Sequence, residues 1–148
     1  MPQGLDLRSR LPYTLSNAPL TAPERTQIYN LTNDKTAAVG YIKLAETGER
    51  QFLVRGPASS RGNSPVWIFT RHGGALHLVL QTSGHSLIVR GRSHHGYHDV
   101  AAAWRRSAVE AVFRVYSWDG NMYTQADCYA TRTDPAHPHT DPRISPCP

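Results

Sequence analysis

The chain has 148 residues, enough for one domain with a buried core of mixed helix and sheet. It contains no run of ~20 apolar residues, so a membrane-spanning helix is excluded and a soluble chain is expected. The net charge of +5 rests on 14 arginines against two lysines, Lys35 and Lys43. These arginines are scattered from Arg8 to Arg143 with only Arg105 and Arg106 adjacent, which is not by itself a nucleic-acid footprint.

Residues 1–20 hold Pro12, Ser16, Asn17 and Pro19 with little periodicity and read as an extended N-terminal arm. Met1 to Arg8 lacks the charged start, apolar middle and cleavage site of a secretory signal. The expected compartment is therefore the periplasm or the exterior if a leader was trimmed, and otherwise the cytoplasm. A helix is predicted to start behind Thr21, an N-cap with Pro23 in the first turn and Glu24 at the capping-box position, and to end at Asn33-Asp34. Ala37 to Ala45 and Gln51 to Arg55 read as strands, and Gly56 to Pro65 as a loop.

Three hairpins follow. Val66–Thr70 and Ala75–Leu80 flank the Gly-bearing Arg71-His72-Gly73-Gly74, with Phe69 expected opposite Leu76 and Trp67 opposite Leu78. Ser83-Gly84 then serves as a two-residue turn that sets Leu80 against Leu87 and Leu78 against Val89. In the last hairpin, Asp119-Gly120 predicts a type I′ turn that pairs Trp118 with Asn121. That register puts Phe113, Val115, Met122, Thr124, Ala126 and Cys128 on a core face, and Arg114, Tyr116, Trp118, Tyr123 and Gln125 on the other. Asp99–Glu110 fits helical spacing, two short strands with a turn near Arg105–Ser107 fit nearly as well, and strands are preferred.

The predicted fold class is α+β, mainly β: an antiparallel meander of about 6–8 strands with one N-terminal helix. Residues 21–132 form its single antiparallel-sheet domain, and 133–148, with five prolines from Pro135 on and two histidines, form a Pro/His-rich flexible tail. Cys128 and Cys147 allow one disulfide tying that tail to the last strand. A buried Cys128 with a free Cys147 is the alternative.

The strand Trp67-Ile68-Phe69, the loop His94-His95-Gly96-Tyr97-His98-Asp99 and the hairpin Trp118-Asp119-Gly120-Asn121-Met122-Tyr123 closing on Cys128 carry a resemblance. Together they resemble a class of small bacterial single-domain proteins, usually exported and uncharacterised in activity. The resemblance spans roughly residues 20 to 130 and implies fold and provenance; it carries no catalytic residue.

His94, His95, His98 and Asp99, with His72, His77 and His85 elsewhere in the meander, are of the types that bind zinc, copper or nickel. Adjacent strand residues point to opposite faces, so His94 and His95 would need a bend at Gly96 to share an ion. The competing reading makes this segment a turn. Ser93 beside the histidines and the carboxylates Asp99, Glu110 and Asp127 do not assemble a recognisable triad or acid/base pair, and no enzyme is expected. Arg90, Arg92, Arg105, Arg106 and Arg114, interleaved with Trp104, Tyr116, Trp118 and Tyr123, superficially suggest a basic nucleic-acid-binding domain. The leading expectation is a non-catalytic binding module with Tyr97, Arg114, Tyr116, Trp118 and Tyr123 as its contact surface. Its partner would be a protein, such as an envelope enzyme to be inhibited, or a glycan. A metal-binding role through His94–Asp99 is the alternative, and no cofactor is otherwise expected.

Overall fold

A computed structural model describes residues 3–48 and 50–148. The protein is mainly β, with eleven strands in two antiparallel sheets and one helix among those residues. The five-stranded sheet is ordered β2 (Tyr13–Thr14), β3 (Ala38–Ile42), β4 (Gln51–Arg55), β5 (Ser64–His72) and β6 (Ala75–Gly84). The six-stranded sheet is ordered β1 (Gln3–Asp6), β7 (Ser86–His94), β8 (Tyr97–Arg105), β9 (Glu110–Trp118), β10 (Tyr123–Arg132) and β11 (Arg143–Pro146). Helix α1 spans Ala22–Thr32.

Two apolar layers result. Leu44, Leu53, Val66, Ile68, Val79, Leu80, Leu87, Val100, Ala102, Tyr116 and Trp118 fill the space between the sheets. Ile28, Val39, Phe52, Val54, Trp67, Phe69 and Leu76 form a second layer in which α1 and residues 15–20 cover the back of the five-stranded sheet. Alternation along β4 and β5 feeds both: Leu53 and Ile68 point one way, and Phe52, Val54, Trp67 and Phe69 the other.

The helix forms where its signals stand. Thr21 Oγ1 accepts the Glu24 backbone N–H and Glu24 Oε1 accepts the Thr21 N–H at 2.8 Å, which closes the capping box. Asn33 ends it in the left-handed region at φ 53°. Glu24 is buried, and Arg71 reaches it from β5 with Nε 2.9 Å from Oε2 and Nη2 2.8 Å from Oε1. One ion pair therefore both caps α1 and pins it to the sheet.

The single meander gives way to two sheets because β6 and β7 do not pair with each other. The chain crosses between sheets at Gly84-His85. A Cβ at Gly84 would overlap the Ala103 carbonyl oxygen, so only glycine lets β6 approach β8 this closely. His85 N–H donates to that same Ala103 carbonyl at 2.8 Å, and Leu7 N–H donates to His85 O at 2.9 Å. At the other end, His98 N–H donates to Leu44 O at 2.8 Å and Ala45 bridges Tyr97, so the sheets are tied twice.

Registers differ from the expected ones for two local reasons. In the β5–β6 hairpin the turn is Gly73-Gly74, both with positive φ, and Phe69 faces Leu78 rather than Leu76. A bulge leaves Val79 unpaired between Leu78 and Leu80, so Val79 and Leu80 both reach the inter-sheet core. In the β9–β10 hairpin Trp118 faces Tyr123, not Asn121. Asp119 Oδ1 accepts the backbone N–H groups of Asn121 and Met122 at 2.8 and 2.9 Å, which stabilises a four-residue loop over the two-residue turn. Those donors also hold the Asp119 carboxyl below the usual carboxylate range.

The ends of the chain join the packed domain. Leu7 and Leu11 enter the inter-sheet core, and Leu15, Ala18 and Leu20 enter the layer under α1. The region read as a flexible tail contributes β11, which pairs with β10 and is stapled by a Cys128–Cys147 disulfide with Cα atoms 5.6 Å apart. Proline is tolerated there because β11 is an edge strand with Pro146 at its end.

Two stability outcomes follow. Gly84→Ala should lower the unfolding free energy by about 2 kcal/mol or more, whereas Gly4→Ala, with open space around its Cβ, should change it by less than ~0.5 kcal/mol. Equal effects in denaturant titrations would sink the crossover account. The second outcome concerns acid. Arg71, through its hydrogen bonds, holds the Glu24 carboxyl below its ordinary value against the opposing effect of burial. A depressed carboxyl contributes stability that is present above its unfolded-state pKa and lost as pH falls through the folded one. Wild type should therefore lose more stability than Glu24→Gln between neutral pH and about pH 3, and parallel pH profiles would count against the pair.

Candidate functional site

Which face of the six-stranded sheet is free follows from alternation. Val100 and Ala102 on β8, with Tyr116 and Trp118 on β9, point into the inter-sheet core. Asp99, Ala101 and Ala103, with Phe113, Val115 and Ser117, therefore point to the outer face, where Phe113 and Ser117 are half-buried and the other four buried.

The β7–β8 hairpin shapes this face. Its turn is His95-Gly96, with φ of 52° and 84°, the paired positive angles of a type I′ turn. Val89 faces Val100 and Ser93 faces His98, so Arg90, Gly91 and Arg92 stand opposite the single residue Asp99. This bulge turns both arginines out of the ladder. Beyond it, His94 Nδ1 lies 2.8 Å from Asp99 Oδ1. Asp99 is buried in this contact, while His94 is half-buried.

Two adjoining depressions result. One, of about 340 Å³, is lined by Arg90, Arg92, His94, Asp99, Ser117 and Asp127 among others. The next, of about 320 Å³, shares Arg90 and Arg92 and has Ile88, Gly91, Ala101 and Tyr129 as its other walls. Phe113 and Tyr129 stack beside them, with centroids 5.0 Å apart and planes within 7°. Neither Arg90 nor Arg92 forms an ion pair with any described residue.

The residues expected as a contact surface lie elsewhere. Tyr116, Trp118 and Tyr123 are at most 9% exposed and belong to the inter-sheet core, because the face of β9 and β10 that carries them is the one packed against the five-stranded sheet. Tyr97 stacks on Trp118 with centroids 4.1 Å apart, and Trp118 meets Tyr123 edge to face at 5.2 Å. Tyr116 Oη lies 2.9 Å from Thr82 Oγ1, and Tyr123 Oη donates to His98 O at 2.7 Å. Burial, followed by the charges of Tyr97 and Asp99, pushes the Tyr123 phenol up, so it remains a donor at neutral pH. Of the five, only Arg114 is a half-buried surface residue away from this cluster, beside Trp104. Conversely, Met122, Thr124 and Ala126, expected as core, are exposed.

The four candidate metal ligands separate. His94 and Asp99 meet, His95 is exposed at the turn, and His98 Nε2 lies 3.8 Å from Glu46 Oε1. His72 and His77 pack edge to face at the tip of the β5–β6 hairpin, and His85 sits at the crossover. Among the described residues no group of three or more His, Cys, Asp or Glu side chains is placed to hold one ion. Of the carboxylates considered for acid/base work, Asp99 and Asp127 share a depression, while Glu110 accepts from Arg132 at 2.6 Å. No described helix is long and apolar enough to cross a membrane. Half-buried Ile88, Phe113 and Tyr129 were not singled out by sequence, because their grouping depends on the bulges at Arg90–Arg92 and Ala126, which periodicity does not reveal.

No family model matches the chain, and neither the curated proteins nor the solved structures contain a match to it.

The buried aromatic cluster has a direct test. Trp118→Ala and Tyr123→Ala should each cost about 3–5 kcal/mol of stability, as core truncations do. A loss under ~0.5 kcal/mol, the range of surface positions, would return these side chains to the surface.

Proposed function

We propose that the protein is a small non-catalytic binding module that takes an acidic partner protein on the outer face of its six-stranded sheet. The observation that supports this is the pair Arg90 and Arg92, which stand between two adjoining depressions and form no ion pair with a described residue, Asp99 and Asp127 of the same depression included. An unpaired guanidinium keeps its donors available for a bidentate carboxylate contact. The small floor at Ala101 and the Phe113–Tyr129 stack add apolar area beside that charge. Arginine and aromatics around a small apolar centre form the composition that dominates protein interfaces. Strands on either side hold these groups, so little order is lost on binding.

Charge reversal of Arg90 and Arg92 to glutamate tests this. Immobilised wild-type protein should retain an acidic protein from an extract of its cell of origin and release it as salt rises. Affinity of that protein for R90E/R92E should fall at least ~100-fold with the thermal midpoint unchanged. Retention indifferent to charge reversal, or abolished by nuclease, would refute the reading.

A further inference from the structure

The opposite face of the same sheet carries a second, separate feature. At Gly84 the five-stranded sheet ends against Ala103, so the far ends of β8, β9 and β10 project beyond it. Trp104 comes next on β8 and is the one tryptophan that is not buried; Trp67 and Trp118 are each 7% exposed. Trp104 faces Val112 across the ladder, and Arg114 faces both Ala102 and Cys128. With Arg106 from the following turn and Gln125 from β10, they line a depression of about 380 Å³ closed on one side by the Cys128–Cys147 disulfide.

We infer that this shelf is a binding site for an acidic saccharide. An indole beside an apolar valine offers a flat surface for the C–H face of a pyranose ring. Arg106 and Arg114 offer guanidinium donors for a carboxylate or sulfate at the ring's edge. Neither arginine has an ion-pair partner among the described residues, and no Asp or Glu lines the shelf. The two charged side chains of the shelf are both cationic, its one aromatic side chain, Trp104, is half-buried beside them, and Pro148 completes the lining. The disulfide fixes the β10–β11 side of the shelf before any ligand arrives. This site is independent of Arg90 and Arg92, which stand on the other face of the sheet.

Trp104 supplies its own readout, because the other two tryptophans are shielded. Titration with an oligogalacturonate hexamer should shift tryptophan emission and protect it from acrylamide, and neutral cellohexaose should not. Arg114→Gln and Arg106→Gln should each weaken binding about tenfold, and Trp104→Phe should remove the spectral change. R90E/R92E should bind the hexamer like wild type. Arg106 is exposed on a turn, so its replacement leaves folding unaffected and keeps the test decisive if Trp104→Phe is unstable. No response at millimolar oligogalacturonate, equal response to the neutral hexamer, or tighter binding of adenosine monophosphate would overturn the assignment.

Discussion

Gly84 lies so close to the Ala103 carbonyl that any side chain there would collide with it, and the backbone N–H of the next residue bonds to the same oxygen. Which surfaces of the molecule are free depends on that contact. Because β6 stops against β8 instead of pairing with β7, the chain builds two sheets face to face, and the inter-sheet core takes Tyr116, Trp118 and Tyr123. The helix and the segment of residues 15–20 then cover the back of one sheet, which leaves the outer face of the other open. A continuous meander would have exposed a different set of residues.

Around this frame, polar contacts fix single elements. Glu24 closes the capping box and receives Arg71, so the start of α1 and strand β5 are held by one buried carboxylate. Such a pair is expensive to break because the remaining charge stays buried without its counter-ion. The Leu44–His98 hydrogen bond and the Ala45–Tyr97 bridge close the far end of the sandwich near the Trp118 cluster. The disulfide fixes the last edge strand, whose residues are all exposed and which has little packing of its own. A loop of this length contributes about 3 kcal/mol in the chain-entropy model.

Local chemistry was legible in the sequence, and face assignment was not. Thr21, Pro23, Glu24 and Asn33 announce the helix and its ends, because capping is decided within a few residues. The β8 and β9 segments were recognisable despite Ala101 to Ala103, of which Ala102 enters the inter-sheet core while Ala101 and Ala103 lie on the outer face. Three features defeated period-2 reasoning. Asp119 spends its side chain on a four-residue loop, Val79 inserts a bulge, and Arg90 to Arg92 insert a longer one. The Val79 bulge and a second one at Ala126 change parity, and a change of parity exchanges core for surface along the rest of the strand; the four-residue loop and the Arg90–Arg92 bulge each add two residues, which moves the register and keeps the faces. The contact surface was expected on Tyr116, Trp118 and Tyr123 because the inner face of β9 was taken for the outer one, and only the bulge at Ala126 sets Tyr129 beside Phe113. Of the histidine loop, the pairing of His94 with Asp99 is close in sequence yet arises only because the bulge brings the two together.

The account stands or falls on which aromatic side chains meet solvent. Hydroxyl-radical footprinting of the free protein, with oxidation read residue by residue, measures this without a partner or a variant. The account predicts ready oxidation of Trp104, Phe113 and Tyr129 and strong protection of Tyr116, Trp118 and Tyr123. Rapid oxidation of Trp118 and Tyr123 with protection of Phe113 and Tyr129 would mean that the faces of the six-stranded sheet are reversed, and with them both proposed sites.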